Sequence, residues 1–434
     1  MPHICATFAS LRTPRTRCVT PLELGADGFP VRTDANSRQR PFAPPPKTAP
    51  ASASAAATQH RGGIPEEIII WEIVPRLPAR TLLRCRAVCR SWRKALTSLK
   101  SNPDLLLAHH RLQPSLPIAS CFQLASHDLR AVALAPRSAA LAPVATLRHP
   151  TLQVRASCDG LLVLSLSPAN YYVCNPATRQ WLLQPFFPHF LGFYPHRPSG
   201  EYRILHGTGP PSRNRKASYS VFTVGSRKPR GIGRPAASSS EEKALADGII
   251  KTAPDRPSIL LHQSLHFYPV KKKDSNGSSN MVMVFSTTAE SFRWMTAPPD
   301  DVPASATLFE MDGKLGLSSV SDDMTQVDIR VLQDYGSEVW EFKLRLKLPA
   351  LEMNLSAARR SFIEVVASED GGVLVSNFTR IAHADAEGKL LSGFQYPEQS
   401  LMIVPYKLKE SLLRHAFFPT RDAEDANASL SPFM

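Results

Sequence analysis

Apolar residues recur at helical spacing in one short stretch of the chain, residues 64–100. Ile69, Ile73 and Leu77 follow one another at intervals of four, which places their side chains on one face of a helix. The same spacing recurs further on, at Val88, Trp92 and Leu96. Pro65 and Pro78 suit first helical turns, where a missing N–H costs nothing. The pattern predicts about three short helices in a module too small to be very stable alone.

From about residue 119 to residue 420 the pattern changes to short apolar runs separated by turn sequences. Asp-Gly turn signals lie inside SCDGLLVLSL, TLFEMDGKLGLSSV and FIEVVASEDGGVLVSN. YYVCNPATRQWLLQP reads as two strands joined by an NPAT turn, and VDIRVLQDY with VWEFKLRLKL reads as a hairpin whose turn contains Gly336. This part of the chain is therefore predicted to be one β domain built from hairpins.

A loose repeat runs through the predicted strands. An aromatic strand leads into a proline at Trp181…Pro185, Trp294…Pro298 and Trp340…Pro349. Hairpins that recur with an aromatic strand are typical of a propeller or a sandwich. We expect the three tryptophans to pack in the β core, because large aromatic side chains dominate such cores. The fold class predicted is α+β and multidomain, a small helical module followed by a β-rich, propeller-like domain.

Three other segments lack periodic apolar positions. Residues 1–63 form a tail rich in Pro and Ala, whose composition predicts disorder. Residues 226–258 are predicted to be a mobile loop inserted in the β domain, and residues 271–280, KKKDSNGSSN, a polar hairpin tip.

The chain carries a formal net charge of +14, which leaves a nucleic-acid partner as an alternative. The basic residues are spread over the tail, the helical module and the loops, and no single helix face collects them with interleaved aromatic residues. A basic protein with scattered charge is the simpler interpretation. Binding to DNA or RNA that survives physiological salt would favour the alternative, such as a transcription-related interaction protein.

The compartment predicted is the cytosol, the nucleus or both. The seven cysteines are scattered without a CxxC pair, which indicates reduced thiols. No apolar run approaches the roughly 18 residues of a membrane helix, and we expect no membrane partner. The first 17 residues bear Arg and lack acidic residues, faintly like a transit peptide, but an unstructured tail is the preferred interpretation.

Candidate chemical sites are weak. Cys85 and Cys89 are four apart on a predicted helix without a second pair to complete a zinc site, so buried thiols are the better interpretation. His262 and His266 share HxxxH spacing but lack the acidic residue of a zinc protease, and we interpret the segment as a strand. The paired carboxylates Asp322 and Asp323 lie in a polar turn. We found no nucleophile elbow or phosphate-binding loop after a plausible strand. No catalytic residue, metal or cofactor is predicted.

The helical module resembles the F-box motif. The runs IPEEIIIWEIVPRLP and LLRCRAVCRSWR follow the family pattern of a Leu-Pro-acidic start, an aliphatic first helix, Leu-Pro, and Val-Cys-Lys/Arg-x-Trp. The matching residues are Ile64, Pro65, Glu67, Ile68, Ile73, Leu77, Pro78, Leu82, Val88, Cys89 and Trp92. Pro75 departs from the pattern, because it removes a backbone donor near the end of the first helix. The F-box module is expected to have three helices within residues 64–103.

Residues 119–420 resemble the F-box-associated region of large plant F-box families. CDGLLVLS with VCNPATRQW is similar to the opening of that region. LFEMDGKLGL and VLQDYGSEVWEFKLRLKLP are similar to its later signatures, and the closing VPYKLKESLLRHAFFP also looks like the family. The family's region is a β-rich recognition domain, often propeller-like.

The resemblance implies a non-catalytic receptor subunit of an SCF-type ubiquitin ligase. The F-box would bind a Skp-type adaptor, and through it cullin and RING subunits, while the β domain holds a protein substrate for ubiquitin transfer. The adaptor-binding residues that it implies are Ile64, Pro65, Ile68, Ile73, Leu77, Pro78, Leu82, Val88, Cys89 and Trp92. Among them Leu77, Leu82 and Trp92 are the strongest candidates for the docking core. The sequence does not identify the substrate.

Overall fold

The computed structural model describes residues 65–419 with gaps at 89, 124–125, 135–140, 149–151, 168–169, 210–217, 227, 236–257, 269, 275–276, 299–305, 322, 324, 349–362, 378–379 and 396–399. The tail predicted at residues 1–63 lies outside the described residues, as do Ile64, Cys89 and Asp322. In the described part, a short helical region precedes a long series of strands.

The helical region begins with one continuous segment that changes its winding. A turn of α-helix, α1 (Glu66–Ile68), passes into a π-helix (Ile69–Ile73) and then a 3-10 helix (Val74–Arg76). The buried Pro75 lies inside the 3-10 turn, and the backbone of Leu77 is extended. The helix therefore ends at Arg76, next to the proline that departs from the F-box pattern.

Three further helices follow: α2 (Ala79–Cys85), α3 (Arg90–Ser101) and α4 (Pro103–Leu112). Asn102 caps α4, since its side chain accepts hydrogen bonds from the amides of Asp104 and Leu105. Nearly all of α4 lies beyond the predicted end of the module at residue 103. Its buried Leu105 and Leu106 nevertheless belong to the same core as Ile69, Val74, Leu82 and Leu96. The described helical module therefore includes α4.

Twenty-five strands are described, in six antiparallel sheets. Sheet A contains β1 (Ser115–Gln123), β2 (Ser126–Leu134), β3 (Leu141–Arg148) and β25 (Ser400–Lys409). Sheet B contains β4 (Gln153–Cys158), β5 (Leu161–Ser167), β6 (Asn170–Asn175) and β7 (Gln180–Gln184). Sheet C contains β8 (His189–His196), β9 (Glu201–Thr208), β10 (Ser218–Thr223) and β11 (Arg230–Ile232).

The other three sheets follow in chain order. Sheet D contains β12 (Ile259–Leu261), β13 (Ser264–His266), β14 (Val270–Asp274), β15 (Gly277–Ser286) and β16 (Ser291–Thr296). Sheet E contains β17 (Thr307–Met311), β18 (Lys314–Val320), β19 (Gln326–Asp334) and β20 (Val339–Lys347). Sheet F contains β21 (Glu364–Ala367), β22 (Val373–Ser376), β23 (Arg380–Ala384) and β24 (Leu390–Gln395).

The six sheets form a closed ring. One edge strand of each sheet contacts an edge strand of the next, in the order β4, β8, β12, β17, β21, β25 and back to β4. Sheet A closes the ring, because β25 from the end of the described chain pairs with β1 from its beginning. Buried apolar side chains fill the spaces between neighbouring sheets, for example Val163 with Phe193 and Val327 with Val365. This is the architecture of a β-propeller in which each sheet is a blade.

The predicted turns are found where the sequence signals them. Asp159–Gly160 joins β4 to β5 and Asp312–Gly313 joins β17 to β18, and all four residues have positive φ. The NPAT and EDGG turns and the turn around Gly336 also join neighbouring strands. Trp181, Trp294 and Trp340 lie in the last strands of sheets B, D and E, half-buried against the clusters between sheets rather than deep in the core.

Four local predictions need correction. The segment His262–Gln263 is a tight turn between β12 and β13, with positive φ at both residues, so the predicted strand through the HxxxH sequence is wrong. In the predicted loop 226–258, Arg230–Ile232 is a strand paired with β10, and residues 236–257 lie outside the described residues. In the predicted tip 271–280, Lys271 pairs with Asn280, so strands occupy most of it. The first strand begins at Ser115, before the predicted start at 119.

Candidate adaptor-docking surface

Large apolar side chains are exposed on the outside of the helical module. Ile68 is 45% exposed, Trp71 47% and Val88 67%, and Pro65 is also exposed. Ile68 ends the short α-helical turn and Trp71 lies in the π-helix that follows it, so both side chains are exposed on the first helical segment. The module therefore leaves several large apolar side chains accessible to solvent.

The other predicted docking residues divide into two groups. Pro78 is exposed, and Ile73, Leu77 and Trp92 are half-buried against the module core, where they remain accessible at one edge. Leu82 is only 4% exposed and packs inside that core. Its side chain therefore supports the fold of the module rather than forming part of its surface. Trp71 was not among the predicted residues, although its spacing from Ile68 was visible in the sequence.

Two side chains at the C-terminal end of α4 hydrogen-bond to the backbone just before Pro78. The side-chain amide of Gln113 donates to the carbonyl of Pro75 (2.9 Å), and His109 donates from Nε2 to the carbonyl of Leu77 (3.0 Å). Both side chains are buried, and burial lowers the pKa of His109, which keeps the ring neutral. The chain reversal between the first helix and α2 is thus fixed by hydrogen bonds to carbonyls that helix ends leave free.

The docking surface is bordered by positive charge. Five arginines of α2, α3 and the turn between them are exposed: Arg80, Arg84, Arg86, Arg90 and Arg93. On the first helical segment, Arg76 forms an ion pair with Glu72 (2.8 Å). A partner with acidic groups around an apolar patch would complement this surface.

None of the weak chemical candidates forms a site in the described residues. Cys85 is half-buried against the module core, and His266 is buried with its Nε2 2.7 Å from the Tyr335 hydroxyl. Asp323 holds its own turn by accepting hydrogen bonds from Ser321 and Thr325. Within the described ranges, no three His, Cys, Asp or Glu side chains are grouped as metal ligands. None of the described helices is long and apolar enough to cross a membrane.

Two family models match the chain. Residues 135–384 match the F-box associated beta propeller domain, and residues 62–105 match the F-box-like family. The chain belongs to the F-box associated beta propeller family. The F-box-like match covers the exposed apolar surface, and the propeller match runs from the gap before β3 to the end of β23. The predicted membership of a plant F-box family with a C-terminal F-box-associated domain is confirmed.

Two curated relatives of this F-box family come from Arabidopsis thaliana. F-box protein At5g49610 is 31% identical over 134 residues, which cover 28% of this chain and 32% of that protein. F-box protein CPR1 is 34% identical over 123 residues, which cover 26% of this chain and 27% of that protein. The chain therefore spans about a third or less of the length of the curated relatives it matches.

Solved structures resemble the chain only distantly. A gluconolactonase from Xanthomonas campestris has a TM-score of 0.34 and 11% identity, and the match covers 65% of this chain and 88% of that one. The β-propeller domain of Cps50 (Swd1) from Myceliophteria thermophila has a TM-score of 0.31 and 9% identity, with 65% and 90% covered.

Proposed function

We propose that this F-box family protein is the substrate receptor of an SCF-type cullin-RING ubiquitin ligase. The helical module binds a Skp-type adaptor, which links it to the cullin and RING subunits, and the propeller holds a protein substrate. The proposal is supported by the presence of an F-box-like region and an F-box-associated propeller in one chain. The observation that carries it is the exposure of Ile68, Trp71 and Val88 on the module.

The proposed adaptor contact combines an apolar centre with a basic rim. The centre consists of the exposed or half-buried residues Pro65, Ile68, Trp71, Ile73, Leu77, Pro78, Val88 and Trp92. Ile64 and Cys89 remain predictions from the motif. A buried tryptophan at the middle of an interface is the kind of side chain that carries most binding energy. The arginines of the rim would meet acidic groups of the adaptor and speed association.

The chain itself contributes positioning rather than bond-making. Holding a substrate beside the transfer site converts a bimolecular encounter into an effectively unimolecular one. The purified chain should therefore not ubiquitinate any protein until adaptor, cullin, RING subunit and conjugating enzyme are added.

A cytosolic or nuclear location is proposed, which suits the free thiols of Cys85, Cys158 and Cys174.

A single substitution tests the adaptor contact. Trp71→Ala should weaken adaptor binding by about 2 kcal/mol or more, roughly thirtyfold, because it truncates the aromatic anchor. Phe342→Ala is the matched control, since Phe342 on the outer strand of sheet E is 53% exposed and should not touch the adaptor. The measurement is titration of the purified full chain with a Skp-type adaptor. Equal affinity for all three proteins would remove Trp71 from the interface.

The motif-based corner is tested by Leu77→Ala with Pro78→Ala. This double variant should abolish adaptor co-precipitation and leave the propeller's thermal transition in place.

Substrate choice is tested by joining residues 115–434 to the F-box of another receptor. The set of ubiquitinated proteins should then follow the propeller, and a set that followed the N-terminal residues would assign recognition to the wrong part of the chain.

A further inference from the structure

Two connections join the helical module to the propeller. The first is covalent and short, since only Gln113 and Pro114 separate α4 from β1. The second is made by the residues that follow β25. We call Glu410–Phe418 the C-terminal strap, because it contacts the module at one end and sheets B and C at the other. The module is therefore held from both ends of the described chain.

Glu410 provides the side-chain hydrogen-bond acceptor that is missing at the N-terminus of α2. The N-terminal flanking residue of α2 is Pro78, which has neither a capping side chain nor a backbone N–H. The amide of Ala79 is buried, and it donates to Oε2 of Glu410 (2.9 Å). Without that acceptor the Ala79 amide would be an unsatisfied buried donor at a helix end. The strap thus completes a helix of the module from more than 300 positions away in sequence.

The same end of the strap also contacts α4. Nδ1 of His110 donates to the backbone carbonyl of Glu410 (3.0 Å), and Nζ of Lys409 donates to the carbonyl of Arg111 (3.0 Å). Leu412 and Leu413 pack against the apolar core of the module. Two helices of the module are therefore attached to the strap by polar and apolar contacts together.

The strap also contacts the propeller, through Ser411 near its start and through Phe417 and Phe418 at its end. The side-chain amide of Asn175 donates to the carbonyl of Ser411 (3.0 Å). Gly160 lies so close that a Cβ there would stand 2.3 Å from Cβ of Ser411. Phe417 packs on Tyr202 with ring centroids 6.0 Å apart, and Phe418 enters the cluster between sheets B and C. The strap therefore contacts both the module and these two sheets.

We propose that the C-terminal strap fixes the orientation of the F-box module on the propeller, with Glu410 as the positioning residue. The inference rests on the proposed receptor function, in which the adaptor binds the module and the substrate binds the propeller. A fixed angle between the two sets the distance that ubiquitin must cross. A swinging module would leave the substrate out of reach for much of the time, even with both partners bound.

The test is the distance distribution between the two parts in the full chain. Spin-label amino acids introduced at the exposed positions Arg90 and Glu341 report it by pulsed electron paramagnetic resonance. Glu410→Ala should broaden the distribution, and Glu410→Gln should preserve it, because the amide oxygen still accepts from Ala79. Arg414→Ala, whose side chain is exposed in the same strap, is the control. A Glu410→Ala distribution that superimposes on the wild type overturns the proposal.

Two further measurements distinguish a failure of the proposed role of Glu410 from a failure of the proposed receptor function. Hydrogen exchange at residues 79–82 should become about fivefold faster or more in Glu410→Ala, the order of change expected when a helix cap is lost. Unchanged exchange there also overturns the role of Glu410. Adaptor titration of the same variants tests the receptor function separately. A wild type that fails to bind any Skp-type adaptor refutes that function. The distance distribution is measured without adaptor, so it still decides the role of the strap.

Discussion

The helical module and the propeller bury their apolar residues in different ways. The module has one small core, made mostly by residues between 69 and 106, and large side chains such as Trp71 and Val88 remain outside it. The propeller closes on itself through β25 and β1, and its exposed apolar side chains, such as Leu183, Phe342 and Leu391, lie on separate outer strands. The module therefore leaves large apolar side chains exposed beside one small core, whereas the propeller distributes its exposed apolar side chains over several sheets.

The largest effect is expected inside the module. Leu82→Ala should lower the free energy of unfolding by about 2–5 kcal/mol, because it leaves a cavity in a small core. Adaptor binding should be lost as a consequence of unfolding. Val88→Ala is the matched variant: it should leave the unfolding transition unchanged while it weakens adaptor binding. Thermal melts and adaptor titrations of both variants measure the difference, and equal melts would place Leu82 outside the core.

The next effect concerns pH and should be confined to the propeller. Burial lowers the pKa of His206 to about 4, and its ring nitrogens have no hydrogen-bond partner among the described residues. The folded state thus favours the neutral ring. The contribution of the neutral His206 ring to the free energy of unfolding is fully present above the ring's unfolded pKa of roughly 6.5. This contribution is lost as pH falls toward 4, by up to about 3 kcal/mol.

The variant His206→Leu tests the predicted direction of this pH dependence of stability. The variant should lose less stability than the wild type between pH 7 and pH 4, because it has no ring to protonate next to Phe187. Urea unfolding at both pH values provides the measurement. The control is Leu183→Ala on β7, whose side chain is exposed and not titratable, and this variant should leave the pH dependence as it is. Parallel pH dependences for wild type and His206→Leu would contradict the assignment.

Local sequence patterns predicted several of the turns well. Asp-Gly pairs adopt positive φ readily, so the turns at Asp159 and Asp312 could be read directly. The turn at His262–Gln263 could not, because neither residue favours positive φ and the tertiary structure imposes it. The pairing of β1 with β25 joins residues nearly 300 positions apart, which no local pattern reports.

The candidate site was predicted only in part for a similar reason. Spacing identifies which residues share a helix face, but burial depends on what packs against that face. Leu82 matched the motif and is buried, while Trp71 is exposed although it was passed over. Helix α4 was also missed, although SNPDLLL carries a clear start signal in Asn102 followed by Pro103. Its hydrogen bonds to Pro75 and Leu77 are tertiary and required the structure.

A smaller effect is expected from the basic rim of the module. Replacing Arg84 and Arg86 with Gln should slow adaptor association several-fold at low salt and change dissociation little, because rim charges act mainly on encounter. Raising the salt concentration should remove the difference. Lys343→Gln with Lys347→Gln on sheet E removes the same charge from the propeller and serves as the control. Equal association rates for both double variants at low salt would show that the rim does not face the adaptor.

The smallest effect is expected at the surface of the propeller. Arg345 donates to both oxygens of Asp328 (2.6 and 2.7 Å), and its guanidinium lies 5.8 Å from the ring centroid of Phe342. Asp328→Asn should cost at most about 1 kcal/mol, because the pair is exposed and screened by solvent. A thermal melt in low and high salt measures the cost. A loss as large as that of Leu82→Ala would mean that the pair holds sheet E together.

The most direct test of the receptor function is a hydrogen-exchange footprint of the full chain with and without a Skp-type adaptor. Binding should slow exchange in residues 65–88, around the exposed Ile68, Trp71 and Val88, and leave sheets B to F unchanged. That result would locate the adaptor on the F-box module and leave the propeller free for a substrate. Protection of the propeller sheets with none in the module, or no protection anywhere at saturating adaptor, would contradict the account.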